Sequence, residues 1–466
     1  MFDVPEVPCM ETLTPGGATS LDARSALRAA LSNGHAPDLG LLRAAPREEL
    51  AQALAELSTP ELGLLVTRLG DEALADIVAE LDAFDAARLL GKLGRAQAAD
   101  VLEEMDPDDA ADVMGELHPS DAEAILDEME HEEASDVREL LAYPPESAAG
   151  IMTPDFVAVA PYLTADEALA QLGRVAEEAE TIYYVYVTEP ATGVLLGVLS
   201  LRNLVLSPRW KLVSQLMNAG VTRIRADADQ ETAARLLDHN SYLALPVVDE
   251  RDRLLGIITA DDAADVLLEE AGEDIERLGG SQPLDEPYLR ASIFHLFRKR
   301  VLWLLILFVG GAFTGSVLNH FQDTLAQMVS LTFFIPLLIG IGGNVGSQTV
   351  TTLVRAMGVG EVHFRDLLRV FWREACVGLL LGIVMGGVTF ARAWILGVGA
   401  EIGPVVAVTA LFIVIWAAAV AAVLPLVLHR LKIDPAVVSA PFISTLVDGT
   451  GLFMYCTIAG VMLGLS

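Results

Sequence analysis

Five apolar stretches follow Arg300, each long enough to cross a lipid bilayer, for which about 20 residues are needed. They fall near 301–320, 325–347, 375–399, 403–428 and 438–464. Hydrocarbon offers no partner to a backbone polar group, so such stretches fold as helices and commit this part of the chain to a membrane bundle. The basic residues between them set an orientation. Arg298, Lys299 and Arg300 precede the first stretch; Arg355, Arg365, Arg369 and Arg373 separate the second from the third; Arg430 and Lys432 separate the fourth from the fifth. The loops around Asp323 and Glu401 carry no Lys or Arg. Basic clusters favour the cytoplasmic side. The expectation is a multi-pass protein of the cell (inner) membrane, with its N-terminus in the cytoplasm and its C-terminus outside.

Charge divides the chain near residue 280. Residues 1–280 hold 55 Asp and Glu against 19 Lys and Arg, whereas the remainder holds 9 against 11. A soluble part this anionic excludes nucleic acid as a partner, because phosphate binding needs clustered Lys and Arg. It suits cations instead. Cys9, Cys376 and Cys456 are scattered, so neither a disulfide framework nor a zinc site is indicated. The first ten residues carry two acids and no positive n-region, so no cleaved signal peptide is expected.

Two features inside the apolar stretches are unsuited to a lipid-facing surface. Asp448 lies in S-T-L-V-D-G-T-G-L (444–452), within the fifth stretch. A carboxylate there costs a few kcal/mol unless it meets water, a cation or a partner. Thr445, Gly449, Thr450 and Gly451 surround it with a small, polar face suited to close helix approach. The second feature is P-L-L-I-G-I-G-G-N-V-G-S-Q (336–348), expected at the cytoplasmic end of the second stretch. Pro and repeated Gly are expected to loosen the helix, turning carbonyls toward a cavity beside the side-chain oxygens of Asn344 and Gln348. Irregular backbone at membrane depth is tolerated only where it lines protein or water. Beside an intramembrane Asp, the reading is a cation path.

The acidic part is built from repeats. Leu57, Leu69, Leu81, Leu93, Met105, Leu117, Met129 and Leu141 recur every 12 residues, with a second series at Ala86, Ala98, Ala110, Ala122 and Ala134. Short helices joined by tight turns at Asp106-Pro107 and His118-Pro119 are expected to stack into an α-solenoid. Asp108 and Asp112, four apart, share a helix face and repel each other unless a cation is near. From about 149 to 270 a strand–helix pattern occurs twice. I-M-T-P at 151–154 matches L-M-N-A at 216–219, and L-L-G-V-L-S at 195–200 matches L-L-G-I-I-T at 254–259. Thr164 and Glu167 form a capping-box pattern. This duplication predicts two small α/β modules packed as a pair. The segment 260–274 that follows is the densest in acids. Asp262, Asp265, Glu269 or Glu270, and Glu273 recur at helical steps with no Lys or Arg between 254 and 275. A divalent-ion sensing surface is the expectation.

In this order, acidic 12-residue repeats, duplicated modules, acidic linker and five spans resemble the bacterial MgtE family of Mg²⁺ channels. The motifs that carry the resemblance are P-x-x-x-G-x-G-G-N at 336–344, D-P-A-x-V-S at 434–439 and T-L-x-D-x-T-G-L at 445–452, while G-I-I-T-A-D-D at 256–262 is similar to the ending of a CBS domain. The resemblance implies a multi-domain membrane protein with a superhelical α-helical N domain, tandem α/β CBS domains and an α-helical five-span transmembrane domain. The corresponding boundaries are a flexible tail at 1–40, the N domain at 41–148, CBS domains at 149–212 and 213–275, a connecting plug helix at 276–300 (its helix near 287–300) and the pore domain at 301–466. It also implies a homodimer with a central pore lined by spans two and five. Asp448 is then the selectivity carboxylate holding a hydrated Mg²⁺, with Asn344, Gly340, Gly343 and Ser444 beside it. The regulatory Mg²⁺ ligands it implies are Asp108, Asp112, Asp229, Glu231, Asp262, Asp265, Glu270, Glu273, Asp274 and Asp434.

ATP is a further ligand implied by the resemblance, with Tyr183 and Asp262 as candidate contacts and Asn203 at the equivalent position of the first module. Two positions depart from the family pattern: Ala440 stands where Asn is expected, and Ser241 where a sensing acid is expected. The expected function is Mg²⁺-selective uptake through a channel that closes when Mg²⁺ binds the acidic domains. A secondary active transporter or exchanger for Mg²⁺ or Co²⁺ is the alternative, and Mn²⁺ is a further candidate ion. An intramembrane enzyme is not expected, since the spans hold no H-E-x-x-H or paired-acid motif. A receptor without flux would leave Asp448 and Asn344 without a role.

Overall fold

The computed structural model describes residues 45–176, 179–432 and 439–465, together with Arg24, Leu27, Arg28, Gly40 and Leu42. The predicted N-terminal tail lies almost wholly outside the described residues. Two compact units result, Met1–Leu267 and Leu268–Ser466.

In the first unit, eight short helices start at strict 12-residue intervals: α1 (Arg47–Ala55), α2 (Thr59–Leu69), α3 (Asp71–Ala79), α4 (Ala83–Leu90), α5 (Arg95–Leu102), α6 (Pro107–Gly115), α7 (Pro119–Leu126) and α8 (His131–Leu141). Local chemistry fixes the starts. Ser58 and Glu61 form a capping box, the Asp82 carboxylate accepts from Asp85 N, and Pro107 and Pro119 open their helices, where a missing N–H costs nothing. The alanine series is buried throughout. The leucine series splits. Leu57, Leu81, Met105 and Met129 are 7–8% exposed, while Leu69, Leu93 and Leu117 are half-buried and Leu141 is exposed. Helices pack on the neighbour two places along, α3 on α5 on α7 and α4 on α6 on α8. The sequence repeat therefore occupies two alternating environments, and the structural repeat is twice as long.

The two α/β modules have one topology. In the first, β1 (Phe156–Val159), α9 (Ala165–Val175), β2 (Thr181–Thr188) and β3 (Leu195–Ser200) precede α10 (Leu201–Leu206). In the second, β4 (Ile224–Arg225), α11 (Gln230–Asn240), β5 (Ala244–Val248) and β6 (Leu254–Thr259) precede α12 (Ala260–Leu278). Each sheet pairs its first strand parallel to the second and the second antiparallel to the third. The matched motifs explain the pairing of modules, because each crosses to the other sheet. Thr153, ahead of β1, exchanges both backbone hydrogen bonds with Ile257 of β6, while Asn218, ahead of β4, does the same with Val198 of β3. Glycine makes the approach possible: a Cβ at Gly256 would lie 2.6 Å from Thr153 O, and one at Gly197 would lie 2.8 Å from Met217 Sδ. The Thr164–Glu167 capping box forms as expected.

The second unit holds α13 (Ile293–His320), the short α14 (Gln322–Gln327), α15 (Ile335–Gly358), α16 (Leu367–Ile395), α17 (Ile402–Arg430) and α18 (Ala440–Leu463). Five segments are long and apolar enough to cross a membrane: Ile293–His320, Val329–Gly358, Phe364–Ile395, Ile402–Arg430 and Ala440–Leu463. The first begins earlier than its apolar core, the second ends later and the third begins earlier, because helices continue past the hydrocarbon edge through arginine-bearing turns. Consequently the predicted separate helix near 287–300 does not form. Its C-terminal part is the opening of α13, and residues 281–292 are non-helical. Helix α16 lies along α17 through Gly378, Gly382 and Gly386, where an added Cβ would approach Ala418, Leu411 and Ala407 within 3.1 Å. Arg392, in the last turn of α16, is a basic residue at the end opposite Arg365, Arg369 and Arg373.

Candidate cation sites

Helix α18 carries Asp448 in its first half. Its start is set by Ser439, whose Oγ accepts from Phe442 N at 3.3 Å, with Pro441 in the first turn. Glycines then decide what comes near. Gly342 and Gly346 of α15 face Ile413, Ile443 and Val447, which a Cβ would meet at 2.5–2.7 Å. Gly343 faces Ser444 and Asp448, and a Cβ there would lie 3.0 Å from Ser444 Oγ and 3.7 Å from Asp448 Oδ1. Below them Ser347 Oγ lies 3.4 Å from Ser444 Oγ and 3.4 Å from Ala440 O. Across α18, Gly449 admits Phe313 and Gly310 admits Thr445, both contacts to α13. Asp448 is half-buried. Among the described residues it has neither an ion pair nor a side-chain hydrogen bond.

The expected loosening of the glycine-rich run is not found. Residues 336–348 are α-helical throughout, with Pro336 in the first turn and Asn344 near mid-helix instead of at the helix end. Their carbonyls therefore serve the helix, and the glycines serve close packing. Gly343 and Ser444 share one surface with Asp448. Gly340 and Asn344, four apart, are exposed on α15, and Gly340 has open space beside it. A second carboxylate at span depth, Glu374 of α16, accepts from Thr349 Oγ1 of α15 at 3.5 Å, a contact absent from the sequence-based candidates.

The soluble unit gathers acids from three elements. Helix α6 holds Asp108 and Asp109 in its first turn, α12 holds Asp261 and Asp262 in its first turn, and Glu180 precedes β2. Burial, then repulsion from Asp262 and Asp109, pushes the Asp108 carboxyl up to about 9. Burial, then Asp106 and Asp262, pushes Asp109 to about 6. Burial, then Asp106, Asp262 and Asp261, takes Glu180 to about 7. Burial likewise raises Asp262, partly offset by the Thr259 hydroxyl that donates to it. Asp108 Oδ1 is buried with no hydrogen-bond partner. Sequence reasoning found Asp108 and Asp262 but missed Asp109 and Glu180, whose only signal was their charge.

Other predicted sensing residues have local partners. Asp265 pairs with Arg47 at 3.2 Å, a cation that the local sequence around 254–275 did not disclose. Asp229 caps α11 through Thr232 N, and Glu231 pairs with Arg235 on that helix. Asp112 is exposed one turn beyond Asp108. Glu270, Glu273 and Asp274 lie on the part of α12 in the second unit, where Glu273 pairs with Arg277 at 2.5 Å. Asp434 lies outside the described residues, as does Cys9. Ser241 closes α11 in the left-handed region with φ 53°. Tyr183 is exposed on β2, and Asn203 N donates to Ser200 Oγ at the start of α10. Among the described residues no three His, Cys, Asp or Glu side chains stand close enough to hold a metal ion directly. Carboxylate oxygens, one of them buried without a hydrogen-bond partner, are the donor type that a hard cation such as Mg²⁺ takes.

A five-span bundle carrying a carboxylate with no ion pair among the described residues, joined to an acidic solenoid and a CBS pair, defines a multi-pass membrane protein for cation transport. A family of divalent cation transporters matches residues 335–458, the MgtE intracellular N domain matches 40–146 and a CBS domain matches 213–269. The magnesium transporter MgtE of Thermus thermophilus is 43% identical over 327 residues, covering 70% of this chain and 72% of the relative. That of Bacillus subtilis is 35% identical over 323 residues, covering 69% and 71%. The chain belongs to the MgtE family, and it is a transport protein, not an enzyme. The crystal structure of the cytosolic domain of the Mg²⁺ channel MgtE in complex with ATP is 34% identical, covering 52% of this chain and 99% of that one, with a TM-score of 0.47.

Proposed function

We propose that the chain is a Mg²⁺ channel for uptake across the cell membrane, working as a homodimer with Asp448 as the carboxylate that meets the ion. The observation that carries this reading is Asp448 itself: half-buried, without a cationic partner among the described residues, and faced by a glycine. Mg²⁺ dehydrates reluctantly, so a carboxylate that shares the Gly343 face with the Ser444 hydroxyl suits an ion gripped through its waters. A two-fold axis would add a second Asp448 and give the exposed Gly340 and Asn344 a partner helix. The basic clusters support an N-terminus in the cytoplasm and a C-terminus outside. Mg²⁺ uptake into liposomes holding the full chain or Asp448→Ala tests the pore, with flux expected only in the former. Flux that requires an opposing ion gradient would instead make it an exchanger.

The soluble acids serve as the closing signal in this reading. Asp108, Asp109, Glu180 and Asp262 repel one another, and a divalent cation among them would draw their elements together. Mg²⁺ then shifts the population toward the compact form by its difference in affinity for the two forms. The remaining regulatory candidates are Asp112, Asp229, Glu231, Asp265, Glu270, Glu273, Asp274 and Asp434. ATP is a second proposed ligand, with Tyr183 and Asp262 as contacts, testable by calorimetry on the full chain and Tyr183→Ala.

A further inference from the structure

The chain between the acidic helix and the membrane is pinned instead of slack. Helix α12 ends at Leu278, whose side chain packs on the apolar core of the second unit. Gly279 and Gly280 follow. Gly280 has φ 78°, and a Cβ on it would lie 2.8 Å from both Cδ1 and Nε1 of Trp303 and 3.4 Å from Pro441 Cγ. Both the backbone conformation and the available space therefore demand glycine. Beyond it Gln282 N donates to Lys299 O at 3.1 Å, Leu284 N donates to Glu276 Oε2 at 2.8 Å, and Lys299 Nζ grips both Asp285 oxygens at 2.8 Å.

Trp303, on α13, is where these contacts converge. Its indole Nε1 donates to Ser439 Oγ at 3.1 Å, and its ring lies 6.4 Å from that of Phe442. Ser439 is fully buried and is the cap that starts α18. One indole thus lies against Gly280, two residues past the end of the acidic helix, on one side and the cap and first turn of the Asp448 helix on the other.

We propose that Trp303 is a positioning residue that couples the acidic helix to the pore helix, through the Gly280 seat and the Ser439 cap. The inference rests on the reading that the soluble acids sense Mg²⁺ and that Asp448 conducts it. Coupling of this kind is a free-energy difference carried by a contact that both elements share. Losing the indole N–H takes away the hydrogen bond to Ser439 that joins the two sides of this link.

The test measures Mg²⁺ flux from liposomes against Mg²⁺ on the soluble side, with Mg²⁺-dependent protection of the soluble unit from protease measured in parallel. Trp303→Phe keeps an aromatic ring and loses both the donor to Ser439 and the Cδ1–Nε1 edge seated against Gly280. Its half-closing Mg²⁺ concentration should rise about tenfold, while protease protection by Mg²⁺ persists. Ser439→Ala should shift closure similarly, the double variant no further than either single one, and Ser439→Thr should behave as the unsubstituted chain. Gly280→Ala, which crowds the indole from the other side, gives the same readout if the phenylalanine variant does not accumulate. Unchanged closure in Trp303→Phe, or lower flux at every Mg²⁺ level with the half-closing concentration unmoved, overturns the coupling role. A parent chain that Mg²⁺ never closes sinks the sensing reading, whereas a parent that closes beside a variant that closes identically sinks only the coupling.

Discussion

Asp448 and the soluble acid cluster carry the same functional group and face opposite difficulties. Among the described residues Asp448 has no ion-pair partner: its cost comes from the apolar surroundings, and α15 faces it with Gly343, where a Cβ would lie 3.7 Å from Asp448 Oδ1. Asp108, Asp109, Asp262 and Glu180 are crowded: their cost comes from burial together with one another. A lone carboxylate among hydroxyls attracts an ion without trapping it, which conduction requires. A group of repelling carboxylates gains most when a cation arrives and stays, which sensing requires. Under the proposed function, the division of labour would follow from the number of charges at each place, more than from their chemistry.

The sharpest way to break that comparison is to neutralise each partner in turn. Asp448→Asn keeps size and removes charge, and Mg²⁺ flux should fall at least about 100-fold, since every 1.4 kcal/mol of lost ion stabilisation is tenfold. Protection of the soluble unit by Mg²⁺ should be unaltered. Asp262→Asn should do the reverse, leaving flux at low Mg²⁺ intact and raising the half-closing concentration about tenfold. Loss of flux from Asp262→Asn, or a shifted closing point from Asp448→Asn with flux preserved, would merge the two roles.

A smaller effect follows from protons, which compete with the cation where carboxylates are crowded. Asp108, Asp109 and Glu180 are raised to about 9, 6 and 7 in the folded chain. Above the ordinary carboxylate range near 4 the unfolded chain has released these protons while the fold still holds them. Without divalent ions, these groups therefore make stability fall as pH rises from about 4 to 9. Thermal unfolding of the full chain in detergent with chelator should show the first unit melting lower at pH 8.5 than at pH 6. Saturating Mg²⁺ should reverse that slope. A slope that Mg²⁺ leaves untouched would separate the cluster from metal binding.

The sequence made the architecture readable because its periods are long and regular. Helix starts at 12-residue intervals, the duplicated I-M-T-P and L-M-N-A motifs and the apolar spans all announce themselves by repetition. What it hid was relational. Nothing local distinguishes Glu180 from dozens of other acids until α6, α12 and the start of β2 come together. Arg47 lies 218 positions from Asp265, so their pairing has no signature. The glycine run misled in a specific way, since repeated Gly indicates either an unwound helix or a closely packed one. Ile413, Ile443 and Val447 against Gly342 and Gly346 decide for packing. Asp448 was legible for the opposite reason, because a charge in an apolar span is anomalous without any partner being known.

Arg47 offers the finest adjustment of the comparison, since it is a tethered cation already seated at the crowded acids. It pairs with Asp265 at 3.2 Å and also draws the Asp109 carboxyl downward against the other influences on it. Both partners of the pair are largely exposed, so the interaction is screened and worth at most about 1 kcal/mol. Arg47→Gln removes a monovalent competitor and leaves the local charge more negative. The half-closing Mg²⁺ concentration should therefore fall, by less than about fivefold, with flux through the open pore unchanged. The shift should shrink toward nothing in 1 M KCl, where the screening length is about 3 Å. A rise in the half-closing concentration would mean that Arg47 holds α1 and α12 in the binding geometry, and that its cationic charge is secondary to the contact it makes.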